Sequence, residues 1–559
     1  MNKKWIIKKY DENILTKIQK ENNVSSTLAK LIISRNVENI EEYLRPSLTS
    51  LRDPYIMKDM SKIVDRITKA IESKEKITIF GDYDVDGVTS INILMSFILE
   101  RGGIVDYYLP DRLEEGYGLN KEALKQIRER GTTLVVTVDC GISAIEEVDY
   151  ANSIGLDVCI TDHHECPDIL PNACAIVNPK QKDCKYEFKM FAGVGVAFKV
   201  ISALAMKYNL EKDTYLKFLD IAALGTISDI VPLVDENRTI AKYGIEKIKE
   251  TENLGLKALI KVAGYKQVDS TMVSFGLAPR INACGRMGDS SLAVKLFFSK
   301  TIEEAQVIAQ KLEVQNRQRQ DIEKKIYNEA LEIIKKEELY KNSTIVLGHK
   351  DWHHGVIGIV ASKLTELYVK PVILLTFDKG IGKGSGRTPF GFSLYEALSE
   401  CSKYIIQFGG HEVAAGLTIK EADFDNFKNM FEKVANKNIK GQFEQTIEID
   451  TEVTKADLNK ATIKDIDAVK PFGQANTEPI FIYRKLAVSS VRTLMEDKHL
   501  KLVLKDENNL IDAIAFGMGN RRDELVLGQK IDVVCSIGIN NFGPTKKVQL
   551  IIKDFSKSY

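Results

Sequence analysis

The sequence predicts an α/β protein: two α/β lobes joined by a long helix, with a small C-terminal β-barrel after them. Three observations predict it. Val/Ile-rich runs alternate with helical stretches from about residue 61 to 162, a charged helical stretch without Pro or Gly follows residue 301, and short strands and turns fill the chain beyond residue 441. The 559 residues suffice for several domains, and an apolar fraction of 44% suits packed cores rather than disorder.

Residues 1–50 read as an N-terminal helical segment. In the first lobe, residues 51–300, "KITIFGD", "IVDYYLP", "TLVVTVDCG" and "LDVCITDHH" read as strands, with "GVTSINILMSFILERGG" and "NKEALKQIRERG" as helices between them. That βαβ series predicts a parallel sheet covered on both faces, because its strands carry little polar alternation. Residues 301–340 form a helix that either packs along one domain or connects two lobes, and we take it as the connector. A second α/β lobe spans 341–440, opening with "STIVLGH", "VIGIVASKLTELY" and "KPVILLTF". In 441–559 about five strands with short loops suggest a barrel, with an OB-fold as the leading candidate.

Net charge is zero, so nucleic-acid binding would need a local basic patch. The N-terminus lacks the apolar core of a signal peptide. "FAGVGVAFKVISALAM" is too short to span a membrane and carries Lys199, so it reads as a core helix. Eight cysteines without CxxC pairs fit reduced thiols in a cytoplasmic protein better than zinc or disulfides.

The chemistry gathers at strand ends. Asp82, Asp84 and Asp86 of "GDYDVDG" follow the first strand, Asp139 ends the third, and Asp162, His163 and His164 follow the fourth. In a parallel sheet these ends share one edge, where ligands of open α/β folds collect. "GTISDIVPL" adds Asp229 in a turn after an apolar helix. An Asp-rich turn alone is usually a solvated loop, and an HH pair alone is usually surface or core. Together, that many carboxylates could not all stay ionised without cations. Oxygen and imidazole donors favour Mn²⁺ or Mg²⁺, and five to seven of them favour two ions, which roughly 4 Å apart serve in-line phosphoester cleavage. Gly81 and Gly87 are expected to let the backbone turn around the site, and a helix beginning near Val88 to add its N-terminal dipole.

"DYDVDG", "VTVDCG", "TDHHE" and "SDIVPL", in this order, resemble the four motifs of the DHH phosphoesterase superfamily. "DWHHGVIGIVASKL", "KGSGRT" and "FGGHEVAAGL" resemble its associated DHHA1 domain. "LAPRINACGRMGD" and "PFGQANTEPIF" resemble the RecJ branch of single-strand-specific 5′→3′ DNA exonucleases. The resemblance implies that Asp84, Asp86, Asp139, His163 and Asp229 ligate two metal ions, with Asp139 bridging. Asp82 would be a further ligand or a neighbour of one, and His164 would face the scissile phosphate. Ser385 and Arg387, with Arg280 and Arg112, would hold a substrate phosphate, while His353 and His411 would stand near helix N-termini facing the cleft. Pyrophosphate-hydrolysing relatives carry a histidine four residues before their DxD. Phe80 stands there, which fits the exonuclease branch.

The expected activity is Mn²⁺- or Mg²⁺-dependent hydrolysis of single-stranded DNA to 5′-mononucleotides, in DNA repair and recombination. The barrel would bind the trailing strand, through candidates such as Phe481, Tyr483, Arg484, Lys485 and Lys501. A helicase and a single-strand-binding protein are the partners the family implies, and a monomer is expected. The alternative is a DHH phosphodiesterase acting on short oligonucleotides or cyclic dinucleotides, whose members typically lack such a barrel. A scaffold that has lost catalysis should have lost metal ligands, and every DHH motif here is intact.

Overall fold

The computed structural model describes residues 3–110, 118–439, 441, 443–540 and 547–558. The chain opens with a strand, β1 (Lys4–Ile7), and the helices Glu12–Asn22, Ser26–Ser34 and Ile40–Leu44. The first lobe holds β2 (Lys76–Phe80), β3 (Ile104–Tyr108), β4 (Leu134–Val138), β5 (Asp157–Thr161) and β6 (Ala175–Val177). All are parallel, in the order β3-β2-β4-β5-β6. Alternation sorts their side chains. Ile77, Ile79, Leu134, Val136 and Val138 join one core with the helices Met60–Glu72, Val85–Glu100 and Gly193–Lys207. Phe80, Val135, Val158 and Ile160 join another with Lys121–Glu129 and Ile145–Ser153. Both faces are therefore covered, as unbroken apolar strands require. β6 is three residues long, too short for a periodicity to reveal.

The connector is one helix, Ile302–Lys336, of 35 residues. Both readings of it hold at once. Ala305, Ile308, Ala309 and Leu312 belong to the first lobe's core, whereas Ile326, Ala330 and Ile334 belong to the second's. The second lobe contains β7 (Ile345–Gly348), β8 (Val372–Asp378), β9 (Ile381–Arg387), β10 (Gln407–Gly410) and β11 (Ala414–Lys420), in the order β10-β11-β9-β8-β7. Only β7 and β8 run parallel.

Beyond it, β12 (Thr446–Ile449) pairs with β1 and the short β13 (Thr451–Glu452) pairs with the start of the barrel. The barrel is β14 (Phe481–Leu494), β15 (His499–Asp506), β16 (Asn509–Ala515), β17 (Lys530–Asn540) and β18 (Lys547–Lys557). Its order β14-β15-β16-β18-β17 closes through β17 pairing with β14. Five closed strands make an OB-like barrel. The N-terminal segment differs from expectation, because it begins with a strand and sends Leu28, Leu31, Ile32 and Tyr43 into the barrel-side core. Phe481 and Tyr483 are also buried there, so they are core aromatics rather than exposed stacking platforms. Arg484 is paired with Glu452 and Asp532.

Among the described residues, no helix is long and apolar enough to cross a membrane. Lys199 is buried inside its helix, donating to the Arg52 carbonyl and pairing with Glu236. All eight cysteines are free thiols.

Candidate metal centre and phosphate grip

Adjacent strands β2, β4 and β5 deliver three of the four motifs to one edge. The chain turns one way from β2 to β3 and the other way to β4, so the crevice between β2 and β4 is a topological switch point. The "DYDVDG" turn is tighter than the sequence suggests. Asp84 caps the helix Val85–Glu100, accepting from the amides of Asp86 (2.9 Å) and Gly87 (3.1 Å), so the helix starts three residues before Val88. Gly81 and Gly87 are needed for close approach, not for a special turn conformation. A Cβ on Gly87 would stand 2.3 Å from the Asp82 carbonyl oxygen, and one on Gly81 2.7 Å from Ile91.

Asp139 leaves β4 with φ +60, a left-handed conformation rare for a non-glycine residue and frequent at functional sites. Its carboxylate lies 3.0 Å from His163 Nε2, and Asp86 and Asp229 each lie 3.8 Å from the same nitrogen. Three overlapping sets each have ligand atoms within 4.8 Å of one another: Asp82, Asp84 and Asp139; Asp86, His163 and Asp229; Asp139, His163 and His164. All seven sequence-predicted residues are thus brought together, and Asp139 stands in two of the sets.

Burial and mutual repulsion dominate the electrostatics. Burial and the Asp84 charge push Asp86 up to about 7, and burial with Asp86 and Asp84 pushes Asp229 up to about 9. Asp139 rises well above the usual carboxylate range for the same reasons. Burial and the neighbouring His164 hold His163 down at about 4, leaving it neutral, the form that ligates metal. Clustered, buried oxygen and imidazole donors that resist sharing negative charge fit one or two hard divalent cations, and cysteine is absent from these sets.

Asp162 orders the histidine pair. It accepts from the amides of Ile142, His163 and His164 and binds His164 Nδ1 at 2.7 Å. Burial opposes charge on both partners, yet their hydrogen bond prevails, lowering the Asp162 pKa and raising that of His164. His164, fixed in this way, has a ring nitrogen within 4.8 Å of ligand atoms of Asp139 and His163.

In the second lobe, Ser385 and Arg387 share one face of β9. Arg387 donates to Ser385 Oγ at 3.0 Å, and both pack on Gly358, where a Cβ would stand 2.9 Å from that oxygen. His353 caps the helix His354–Tyr368, as expected. One expectation fails. His411 lies between β10 and β11 at an exposed hairpin tip, not at a helix N-terminus, because the glycine ahead of it ends a strand. Arg280 pairs with Glu313 of the connector at 2.7 Å and donates to the Gly276 carbonyl, so its guanidinium braces two helices. Arg112 lies outside the described residues.

Family models match residues 76–226 (DHH family, N-terminal domain), 340–437 (DHHA1 domain) and 449–554 (RecJ OB domain). The single-stranded-DNA-specific exonuclease RecJ of Bacillus subtilis (strain 168) is 38% identical, over 99% of this chain and 71% of its own length. The chain belongs to the RecJ family. RecJ of Escherichia coli (strain K12) is 33% identical over 94% of this chain and 95% of its own. Among solved structures, RecJ of Thermus thermophilus in complex with Mn²⁺ has a TM-score of 0.87 at 27% identity, covering 100% of this chain and 80% of that one. Its complex with Mg²⁺ has a TM-score of 0.81 at 25% identity, covering 100% and 79%.

Three features of this RecJ-family site escaped the sequence reading. The helix Gly193–Lys207 points its N-terminus at the cluster, and the Gly193 and Val194 amides donate to the two oxygens of Asp86 at 2.6 and 2.8 Å. The Gly-x-Gly at its start was the available signal. In "PRINACGR", Asn282 accepts from the Val85 amide and Gly285 packs on Tyr83, while Arg286 donates to the Gly355 carbonyl of the second lobe. A groove of about 680 Å³ runs from Ile230, beside Asp229, past Phe275, Arg286 and Lys324 to Lys363. Phe275 is 72% exposed and Ile230 69%. Phe275 is presented by the π-helical stretch Met272–Leu277, a geometry frequent at functional sites.

Proposed function

We propose that this chain is a metal-dependent exonuclease that hydrolyses single-stranded DNA from the 5′ end to 5′-mononucleotides. One observation carries the reading: seven carboxylate and imidazole side chains from four segments converge at the sheet's switch point. Relatives named as single-stranded-DNA-specific exonucleases, aligned over nearly the whole chain, supply the substrate class. Asp84, Asp86, Asp139, His163 and Asp229 would hold two Mn²⁺ or Mg²⁺ ions, with Asp139 shared and Asp82 beside them. Such ions lower the pKa of a bound water and neutralise charge on the phosphate.

The chain's own groups do the rest. The Gly193–Val194 amides hold Asp86 in place, and the helix dipole there favours its charged form. His164, whose pKa Asp162 raises, offers a proton-bearing imidazole to the scissile phosphate. Ser385 accepts from Arg387, which leaves its hydroxyl hydrogen to donate to a terminal phosphate oxygen. Contacts through Arg286 and Gly355 link that grip to the "DYDVDG" loop, so the gripped end and the metals sit on one braced frame. The trailing strand would follow the groove past Phe275, its phosphates against Lys324 and Lys363 and its bases on the apolar side chains, toward the barrel.

The domain bounds 51–300, 341–440 and 441–559 suit this division of labour. Work in the cytoplasm as a monomer, beside a helicase and a single-strand-binding protein in DNA repair and recombination, completes the reading. The test is digestion of a 5′-phosphorylated, 3′-labelled single strand and its duplex with Mn²⁺. Progressive shortening of the single strand alone, with mononucleotide products and no activity in Asp139→Ala, is expected. Equal cutting of duplex, or activity confined to di- to pentanucleotides or cyclic dinucleotides, would refute it.

A further inference from the structure

Asp229 is unlike the other clustered residues, because no strand end fixes it. It ends the helix Leu219–Ser228, and its amide bonds to Gly225 at 2.9 Å. The next residue, Ile230, has φ +61, a conformation that a β-branched residue adopts only when its surroundings impose it. A tie to a segment outside the lobe lies on the far side of Pro232. The Leu233 amide donates 2.8 Å to the carbonyl of Gln474, in the loop that leads into the barrel. Leu233 is buried and packs on Gly473 so closely that a Cβ there would stand 2.6 Å from its Cδ1.

That loop is itself held rigidly. Asn476 has no exposed surface and uses its whole amide: it donates to the Val469 and Pro471 carbonyls (2.8 and 2.7 Å) and accepts from Arg35 and Tyr43 (3.1 and 2.7 Å) of the N-terminal segment. Buried Arg238, from the first lobe, donates to the carbonyls of Tyr43, Val469 and Ala468 and lies 4.2 Å over the Tyr43 ring. On the other side, Asn237 donates to Pro232 and to Met190, just ahead of the helix that caps Asp86.

We propose that loop 471–477 is a positioning element of the metal centre, through which the N-terminal segment and the barrel approach set where Asp229 stands. The inference rests on Asp229 being a metal ligand. The loop's glycine and asparagine then serve the catalytic lobe as much as the barrel. A module that would otherwise only carry DNA completes the site that cuts it.

The test is Mn²⁺ binding to the full chain, followed by calorimetry and by electron paramagnetic resonance, without DNA. Gly473→Ala pushes Leu233 away and is expected to weaken one of the two Mn²⁺ ions about tenfold, leaving the other unchanged. Leu233→Val in that background restores space and should recover most of the affinity. Leu233→Ala alone removes the docking side chain and should weaken the same ion, which keeps the test open if Gly473→Ala misfolds. Lowered melting temperatures with wild-type Mn²⁺ affinity in both single variants would overturn the proposal. Undiminished binding of two Mn²⁺ by Asp229→Asn would instead overturn the reading of Asp229 as a ligand.

Discussion

Replacing Gly193 by alanine adds one methyl group at a crowded point of the site. The new Cβ would stand 2.6 Å from Asp139 Cβ, 2.8 Å from its Oδ1 and 2.9 Å from its Cα. Carbon atoms in contact settle at about 3.5–4.0 Å, so the helix and Asp139 must part by about 1 Å. Neither has slack. Asp139 is already held at φ +60, and the helix end is bound to both oxygens of Asp86. Overpacking of this kind costs about 1–3 kcal/mol of stability. Moving a group of the reaction centre by about 1 Å costs about a hundredfold in rate. Steady-state digestion of a 5′-phosphorylated single strand at saturating Mn²⁺ should therefore show kcat falling about a hundredfold, with KM nearly unchanged because the phosphate grip lies in the other lobe. Gly195→Ala is the control: the three atoms nearest its Cβ all belong to the Phe191 side chain, so melting temperature should fall while kcat holds. Wild-type kcat in Gly193→Ala would refute the claim that this helix end and Asp139 form one rigid unit.

Arg387→Lys keeps the charge but loses the planar fork. The preference for a 5′-phosphorylated over a 5′-hydroxyl strand should shrink at least tenfold, measured as the ratio of kcat/KM values. Phe275→Ala should weaken binding of a single strand to the Asp139→Ala protein by about 1–3 kcal/mol in fluorescence anisotropy, without lowering the melting temperature, because the ring is 72% exposed. Asp220 is buried against Thr251, and burial raises its pKa. A carboxyl with a raised folded-state pKa favours folding below its ordinary value and loses that contribution as pH climbs through the raised one. Asp220→Asn should therefore gain stability relative to the parent as pH rises from 4 toward neutrality, read from denaturant midpoints.

The legible part of this protein is the part written in local patterns. Unbroken Val/Ile runs placed β2 to β5, and acidic residues just past them had to share an edge, so six of the seven clustered side chains followed from periodicity and parallel topology. What escaped depends on partners remote in sequence. The glycine pair opening Gly193–Lys207 reads as core until Asp86, 107 positions earlier, is placed against its amides. Arg280 is a phosphate-contact candidate through the family resemblance of its motif. Only the fold reveals Glu313, a full helix later, as its counter-ion. His411 shows the limit of a glycine as a boundary marker, since Gly410 closes a strand rather than opening a helix.

The same logic explains why so acidic a site can fold. Three of its carboxylates are tied by groups that do not depend on a cation: Asp84 by its own helix's first amides, Asp86 by the helix Gly193–Lys207, Asp162 by three amides and His164. Most of these ties come from backbone, which cannot titrate away, so the geometry survives while the raised pKa values of Asp86 and Asp229 leave protons on the cluster. Binding a divalent ion would then exchange those protons for charge without moving the scaffold. Asp229 differs from these three: its amide bonds to Gly225 in its own helix, while four residues on the Leu233 amide reaches the Gln474 carbonyl outside the lobe. Under the proposed docking it is where loosening the rest of the molecule would first be felt at bound metals.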